Sequence, residues 1–469
     1  MPGLPSAQRF EKALRSVLPS PFALALLLTG LVLLAAVFLL KPSPHLSFRE
    51  HGLHMLHSWY SGLWSESMLV FAYQMMLILV LGHVLALSPP ISRLMMKCIG
   101  HINSTAAAAF WLCLFCIVLG LINWGLALIF GAVFARKLGE HATENGLSFN
   151  YPLIAATGYT GMMVWHGGLS GSALIKAAEP GHLESLMAGS IGLGEIPNQL
   201  SLAETVFSGM NIFTSICLLL LLPALAFILG KTQKSSEKNL PLRETKEAEE
   251  AEASQDKQYM AERIDRHPLP VWLLGALCLA AAIMLSLYAP NGTKSSLAGP
   301  NLLNIIFLGL GLLAHGSLQS FLRALQQSMS GAAGILIQFP LYFGIMALMK
   351  ESGLGAAISG FFVDISSPGS FAYLSFVSAG FVNVIVPSGG GQWMIQGPII
   401  IEASQSMGIP LSKSVLAMAY GDQITNMLQP FWALPLLAIT GLEARQILPY
   451  TLLYMLAGAA IFLLAMTLF

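Results

Sequence analysis

The sequence predicts an all-α polytopic membrane protein with two inverted repeats, each containing a re-entrant hairpin and a broken transmembrane helix. The first observation is compositional: 55% of the 469 residues are hydrophobic and only 10% are charged, whereas about 25% are charged in a soluble domain. Many apolar runs approach the roughly 20 residues that cross a bilayer. The second observation is that glycine and proline interrupt several of these runs. The net charge of zero does not identify a class of partner.

The first apolar run, residues 21–40, follows a segment that carries Arg9, Lys12 and Arg15. This run is too long for the hydrophobic region of a signal peptide, and it lacks a clear small-residue cleavage site. It is therefore interpreted as an uncleaved first helix with a cytoplasmic amino terminus. Further crossings are predicted at residues 67–88, 151–176, 205–230, 269–289, 301–317, 332–349, 411–439 and 447–468.

The predicted crossings and one charged segment divide the chain into five parts. Residues 231–268 carry eight basic and nine acidic side chains, a composition that favours a solvated, flexible cytoplasmic linker. The five parts are an amino-terminal segment with the first helix (1–66), a first repeat (67–230), the charged linker (231–268), connecting transmembrane helices (269–331) and a second repeat (332–469).

Two apolar stretches, residues 105–138 and 370–405, each contain a break near the middle. The first break is Ile122-Asn-Trp-Gly125, and the second contains Pro387, Ser388 and three consecutive glycines. Backbone groups that are freed at membrane depth must face protein, water, an ion or a substrate. Each stretch is therefore predicted to be a re-entrant hairpin. A topology with these two hairpins places 17 Lys and Arg residues in cytoplasmic segments and 6 in external segments, in accord with the positive-inside rule.

Similar residues recur at similar spacing in the two halves of the chain. From Asn123, the distances to Phe110, Gly146 and Tyr159 are 13, 23 and 36 residues; from Asn383, those to Phe371, Gly408 and Tyr420 are 12, 25 and 37. The charge distribution opens the first hairpin toward the cytoplasm and the second toward the outside, so the repeats are inverted. Inverted repeats with broken helices that meet at the midplane are typical of secondary transporters.

The helix after each hairpin is predicted to contain a second break, within Gly158–Gly171 and Tyr420–Pro430. Half-helix amino termini at such breaks attract anions, and freed carbonyls hold cations. Because no Lys or Arg lies in any of the four breaks, a small monocarboxylate that travels with one H⁺ or Na⁺ fits better than a dianion. Candidate substrate-binding residues, including aromatic walls for a short alkyl chain, are Trp124, Gly125, Trp165, Gly167, Gly168, Ser170, Ser388, Gly389, Gly390, Gly391, Gln392, Trp393 and Gln429.

Asp422 is the only carboxylate near the middle of a predicted crossing, where an ionised Asp costs about 2.5–3.5 kcal/mol. It either binds the coupling cation, carries the proton itself or caps backbone N–H groups at the break. His166 is either a proton site or a neutral histidine that donates to a carbonyl. Candidate coupling-ion residues are Asn123, Tyr159, Asn383, Tyr420, Asp422 and Asn426, although Asn and Ser at breaks also form local turns. Na⁺ is the one metal ion considered.

Other functional classes lack the residues that they require. No nucleophile with its base and no H-E-x-x-H metal motif can be read from the sequence, so an enzyme is not expected, and neither is a cofactor or a nucleic-acid partner. The five cysteines lie in or beside apolar helices, where cysteine usually packs as a small buried hydrophobe. Cys113 and Cys116 form a C-x₂-C without the second pair that a metal site needs.

Several motifs together resemble one known family, the bacterial short-chain fatty acid transporters. They are Ile122-Asn-Trp-Gly125, Gly167-Gly-Leu-Ser-Gly171, Val386-Pro-Ser-Gly-Gly-Gly391, Ile395-Gln-Gly-Pro398, Ala419-Tyr-Gly421 and Gln429-Pro-Phe-Trp-Ala-Leu-Pro435. The resemblance covers almost the whole chain. It implies symport of acetoacetate, butyrate or similar acids with H⁺ or Na⁺ across a bacterial inner membrane, with a periplasmic carboxyl terminus predicted by the topology.

The resemblance also implies kinship with carriers that bind cations at their hairpin tips and move a transport domain by an elevator motion. By that analogy Asn123 and Asn383 belong to cation sites, whereas His166 receives no role. The expected partners are a small monocarboxylate and the lipid bilayer, and a homodimer is an open expectation. The alternative function is a dicarboxylate carrier or a cation/proton antiporter of the same architecture.

Overall fold

In the computed structural model, residues 19–39, 46–187, 196–232, 260–287, 300–329 and 332–469 are described, and within them the chain is helical with no strands. The α-helices are α1 (Pro21–Phe38), α2 (Phe48–Leu63), α3 (Glu66–Leu87), α4 (Pro89–Ile99), α5 (Thr105–Ile122), α6 (Trp124–Glu144), α7 (Tyr151–Gly158), α8 (Ser172–Ala177), α9 (His182–Leu186), α10 (Gly209–Thr232), α11 (Met260–Arg266), α12 (Pro268–Leu287), α13 (Pro300–His315), α14 (Leu318–Met329), α15 (Ala333–Glu351), α16 (Leu354–Asp364), α17 (Phe371–Ile385), α18 (Gly389–Ser406), α19 (Leu411–Thr425), α20 (Pro430–Thr440) and α21 (Ala444–Leu468).

Long apolar helices confirm the predicted all-α membrane fold. Within the described ranges, six helical stretches are long and apolar enough to cross a bilayer: α1, the run Phe48–Leu87, α5, α10, α15 and α21. Their outward faces expose large apolar side chains such as Leu27, Leu220 and Leu336. Apolar side chains on outward faces are expected of helices that contact lipid.

Four helices of 11 to 16 residues were absent from the prediction, which considered long apolar runs alone. They are α2, α4, α14 and α16. Helix α2 begins with a capping box in which Ser47 and Glu50 bond each other's backbone N–H groups. Its sequence mixes polar and apolar residues, so hydropathy alone does not identify it.

The first hairpin consists of α5 and α6, which fold back on each other at Asn123. A methyl group on Gly131 would lie 2.9 Å from Cys116 Sγ, and the rings of Phe115 and Phe130 are 6.1 Å apart. Residues equally distant from Asn123 on the two helices are therefore neighbours. Asn123 caps α6, since its side chain accepts the Leu126 N–H at 3.0 Å.

The second hairpin consists of α17 and α18, and its chain reverses at residues 386–388. Gln392 Nε2 donates to the Ala379 carbonyl at 2.8 Å, which shows the same fold-back. Ser388 caps α18 by accepting the Gly391 N–H at 3.2 Å. By its position at the start of the returning helix, Ser388 corresponds to Asn123. The predicted correspondence between Asn123 and Asn383 is therefore wrong, because Asn383 lies inside α17 and not at the start of the returning helix.

Both helices that follow the hairpins are broken. The predicted crossing at 151–176 is interrupted after Gly158 by two 3₁₀ turns, Thr160–Met163 and Trp165–Gly167. In the second half, α19 continues to Thr425 and the break covers only residues 426–429. Tyr420 and Asp422 thus lie within α19, and the predicted break at Tyr420–Pro430 began too early.

Hydrogen bonds join the two halves of the chain into one packed unit. They link Arg136 Nη1 to the Ile439 carbonyl at 2.8 Å, Tyr151 Oη to the Thr440 carbonyl at 3.0 Å, and the Thr157 and Tyr454 hydroxyls at 2.8 Å. The hairpins and broken helices make this unit, which borders α3 and α15. Of the charged linker, residues 233–259 lie outside the described residues. The domain boundaries and the inverted topology stay predictions.

Candidate functional site

The tips of the two hairpins converge on Trp165. Gly389 is the first residue of α18, and a methyl group there would lie 2.8 Å from Trp165 Cη2. On the other side, the ring of Trp124, the first residue of α6, lies 6.3 Å from the ring of Trp165. The Trp124 N–H donates to Ser170 Oγ at 3.0 Å. The structure therefore brings together four predicted substrate-binding residues from three of the four breaks.

A buried histidine–aspartate pair lies next to Trp165, the residue on which the two tips converge. His166 Nδ1 contacts Asp422 Oδ2, and the two side chains are 0% and 1% exposed. His166 Nε2 accepts the backbone N–H of Ala173 at 2.9 Å, so a neutral imidazole carries its ring proton on Nδ1, the nitrogen that contacts the carboxylate. The ring of Trp165 stacks on the imidazole, with their centroids 4.5 Å apart. The pair joins the first broken helix to the second.

The pair corrects two readings of the sequence. Asp422 lies in the carboxyl-terminal half of α19, so its side chain does not cap backbone N–H groups at a helix start. The two ring nitrogens of His166 contact a carboxylate oxygen and a backbone N–H, so neither has a carbonyl as its partner. Among the residues that the structure describes, Asp422 is the only Asp, Glu, Lys or Arg that is buried. A buried carboxylate is costly unless it is paired or neutralised, so this site can accept a proton or a cation.

Amide side chains satisfy the freed backbone at the second hairpin tip. Asn383 Nδ2 donates to the Asp422 carbonyl at 2.7 Å and lies 2.9 Å from Asn426 Oδ1. Gln429 Nε2 donates to the Asn383 and Val384 carbonyls at 2.7 and 3.1 Å. Within the described part of the chain, Asn383 Oδ1 and Gln429 Oε1 are buried without a hydrogen-bond partner. These two oxygens are the best candidates for cation ligands outside Asp422.

Other predicted site residues have partners away from the contact between the tips. Tyr420 Oη donates to Asn211 Oδ1 at 3.1 Å, and Trp393 Nε1 donates to His182 at 2.9 Å. Gln392 bonds within the second hairpin. The structure does not bring these three residues to the tips.

Three further predicted residues lie outside the contact between the tips. Gly167 and Gly168 permit close packing, since a methyl group on either would meet Asn211 or the Leu121 carbonyl. Tyr159 lines a small cavity beside Gln429 and Thr451.

Three residues of this site were missing from the predicted set. Gln423 Oε1 accepts the backbone N–H of His166 at 3.0 Å. The ring of Trp432 lies 4.9 Å from that of Trp124, and a methyl group on Gly391 would meet Met346 of α15. Gln423 is adjacent to Asp422 in a polar segment, and Trp432 lies two residues after Pro430 in an aromatic one. The sequence could therefore have indicated both residues. Met346 comes from an ordinary apolar helix and gave no signal.

An apolar cavity of about 20 Å³ adjoins the first tip. Trp124 and Gly125 form its wall on α6, and Trp432 forms its wall on α20. Side chains of α3 and α15, including Ile78 and Phe339, close the opposite side. The site therefore combines an apolar compartment of small volume with a buried carboxylate.

Sequence comparisons place the chain among transport proteins. Residues 7–469 match the family model described as "Short chain fatty acid transporter". A relative from Escherichia coli named "Putative short-chain fatty acid transporter" is 35% identical over 452 residues, with 96% of each chain covered. A Haemophilus influenzae relative with the same name is 35% identical over 459 residues, again with 96% of each chain covered. These names confirm that the chain is not an enzyme.

Solved transporter structures show weaker similarity. The Alcanivorax borkumensis YdaH transporter gives a TM-score of 0.44 at 17% identity and covers 95% of this chain and 97% of its own. Neisseria gonorrhoeae MtrF gives 0.40 at 15% identity, with 97% of both chains covered. The family match over nearly the full length decides the assignment, and the protein belongs to the short-chain fatty acid transporter family of multi-pass membrane proteins.

Proposed function

We propose that this protein is a secondary active transporter of acetoacetate, butyrate or similar short monocarboxylates, in symport with H⁺ or Na⁺. The observation that carries the proposal is the convergence of two hairpin tips on the buried Asp422–His166 pair. A carrier needs a central site that both sides of the membrane reach in turn, and broken helices at the midplane supply such sites in secondary transporters.

The charge of the site favours a monoanion. Within the described ranges, no Lys or Arg is buried, so the substrate carboxylate meets helix amino termini and N–H groups in place of a fixed cation. A helix terminus contributes at most about 2 kcal/mol in a partly buried geometry. One coupling cation then neutralises a monocarboxylate, whereas a dicarboxylate would keep an uncompensated charge.

The apolar walls favour a short alkyl chain. Trp124, Trp165 and Trp432 form a continuous set of rings from the first tip to the His–Asp pair. Indole rings bury large apolar area with a defined shape. The cavity that adjoins these rings is lined by apolar side chains of α3, α6, α15 and α20, which suits an alkyl chain.

The packed unit supports an elevator-type movement in a bacterial inner membrane. Hydrogen bonds such as Arg136–Ile439 and Tyr151–Thr440 hold its two halves together. Its border with α3 and α15 includes apolar contacts, for example Ile78 against Gly125, which allow sliding without broken ion pairs. A cytoplasmic amino terminus, a periplasmic carboxyl terminus and a homodimer remain predictions of this proposal.

Purified protein in proteoliposomes tests the function. We expect saturable exchange of labelled acetoacetate, inhibited by unlabelled butyrate and acetoacetate and only weakly by succinate, with accumulation driven by a pH or Na⁺ gradient. Protein-free liposomes correct for passive diffusion of the undissociated acids. Succinate uptake without butyrate uptake would favour the dicarboxylate carrier. Cation flux that is independent of any organic acid would favour the antiporter.

A further inference from the structure

We propose that the coupling ion is the proton, and that it binds to Asp422 Oδ1 while the neutral imidazole of His166 contacts Oδ2. This inference rests on the proposed function, because it names the ion that accompanies the substrate. It assigns His166 a role as a positioning residue, which neither the sequence motifs nor the relatives supply.

The hydrogen bonds of the imidazole fix where a new proton goes. Nε2 accepts the backbone N–H of Ala173 at 2.9 Å, and that N–H always needs an acceptor because it is buried. Protonation of Nε2 would break this bond and leave two donors facing each other. Nδ1 already carries the proton of the neutral ring, and it contacts Asp422 Oδ2. The ring therefore has no free acceptor, and the carboxylate is the remaining basic group.

Asp422 Oδ1 is the atom that accepts the proton. Both carboxylate oxygens are buried without a hydrogen-bond partner among the described residues, but Oδ2 contacts His166 Nδ1, so the lone pairs of Oδ1 are the ones available. With the proton absent the pair has a net charge of −1, and with the proton bound it is neutral. The neutral form avoids the cost of burying an uncompensated ionised group.

The surroundings of the carboxylate suit a proton better than Na⁺. A methyl group on Gly389 would lie 2.9 Å from Asp422 Oδ2, 2.8 Å from Trp165 Cη2 and 3.1 Å from His166 Cε1. The carboxylate thus faces an indole ring, an imidazole and a glycine backbone. Hard cations require several oxygen ligands, whereas a proton requires one lone pair.

Most other titratable groups on the elements packed around the pair have partners elsewhere or are exposed. Ion pairs join Lys176 to Glu179 and Arg445 to Glu443. Hydrogen bonds join Cys113 to Thr160, Cys116 to the Gly158 carbonyl, Tyr420 to Asn211, Tyr373 to Thr467, Tyr454 to Thr157 and Tyr450 to Asn150. Glu402 is exposed on α18, and Lys413 is half-buried in the first turn of α19. Tyr159 has a buried hydroxyl without a partner among the described residues and lines a small cavity beside Gln429. As the one buried carboxylate in the described ranges, Asp422 is assigned the pH response of the site.

The proton balance makes transport electroneutral. The proton is taken from water on one side, resides on Asp422 Oδ1 while the monocarboxylate is bound, and is released to water on the other side. The loaded site carries the anion and one compensating proton. Transport is then expected to respond to a pH gradient and not to the membrane potential.

Isothermal titration of the detergent-purified protein with acetoacetate tests proton binding directly. In two buffers of different ionisation enthalpy, we expect binding heats that differ as proton uptake requires. Replacing Na⁺ by K⁺ should change nothing. Binding with buffer-independent heats would overturn the proton proposal and leave the proposed function intact. Absence of both binding and exchange of any short acid would overturn the function itself.

Variants identify the residues. Asp422→Asn should remove the buffer dependence of the binding heat, and Glu402→Gln, an exposed carboxylate on α18, should keep it. His166→Leu removes the polar contact with the carboxylate, so the pH profile of acetoacetate exchange should differ from that of the wild type. His166→Asn keeps a polar group near the position of Nδ1 and should stay closer to the wild-type profile. The same pH profile in the wild type and both His166 variants would overturn the role of His166.

Discussion

Gly389→Ala is expected to lower acetoacetate exchange roughly tenfold or more, without loss of the folded protein. The added methyl group would lie 2.8 Å from Trp165 Cη2, 2.9 Å from Asp422 Oδ2 and 3.1 Å from His166 Cε1. Overpacking of this kind costs about 1–3 kcal/mol, and that cost falls on the conformation in which the second tip closes over the pair. A free-energy change of this size corresponds to roughly 5- to 150-fold in an equilibrium. Initial rates in proteoliposomes measure the effect.

The neighbouring glycine gives a matched control. A methyl group on Gly390 would meet only Ser172 Oγ, at the ordinary contact distance of 3.9 Å. Gly390→Ala is therefore expected to exchange acetoacetate at close to the wild-type rate. Equal losses in the two variants would show that flexibility of the tip, and not its close approach to the pair, determines transport.

Gly131→Ala is expected to destabilise the protein by about 3 kcal/mol, or to prevent its folding. A methyl group on Gly131 would lie well inside van der Waals contact with the Gly158 carbonyl and 2.9 Å from Cys116 Sγ. The obstacle includes backbone of α7, which cannot rotate away as a side chain can, so the cost falls at the upper end for overpacking. Close approach of helix backbones at small residues stabilises membrane helix packing. Thermal unfolding in detergent measures the change.

Gly360→Ala serves as the opposite case. Gly360 lies in α16 and has nothing within 4 Å of a methyl group. There, alanine should leave stability unchanged or raise it by up to about 1 kcal/mol, because glycine is a poor helix former. Comparable destabilisation by both substitutions would contradict the packing argument for Gly131.

The sequence predicted the elements that simple physical rules govern. Long apolar runs located most of the membrane helices, and glycine, proline and asparagine located the reversals at Asn123 and at residues 386–388. These features are local, since chain reversal and helix capping depend on a few neighbouring residues. Of the tryptophans predicted as walls, Trp124 and Trp165 lie together with their rings 6.3 Å apart, whereas Trp393 bonds His182 away from the tips.

The sequence could not predict pairings between distant segments. His166 and Asp422 were both noticed as polar groups in apolar surroundings, but nothing local shows that they meet. The predicted register of the second hairpin was wrong for a similar reason. Asn383 and Asn123 share a residue type, whereas Ser388 shares the position of Asn123 as a cap. The number of residues between two positions does not show which residue begins the returning helix. Only the structure shows it.

The bonds between the two halves determine when this site can exist during biogenesis. His166 and Tyr151 enter the membrane early in translation, while Asp422 and Thr440, their partners, are still to be synthesised. The first broken helix must therefore remain in lipid or in the insertion machinery with polar groups whose partners are not yet synthesised. A chain that stops before α19 contains His166 but not the carboxylate with which it pairs, so the site arises only in the final stage of tertiary folding.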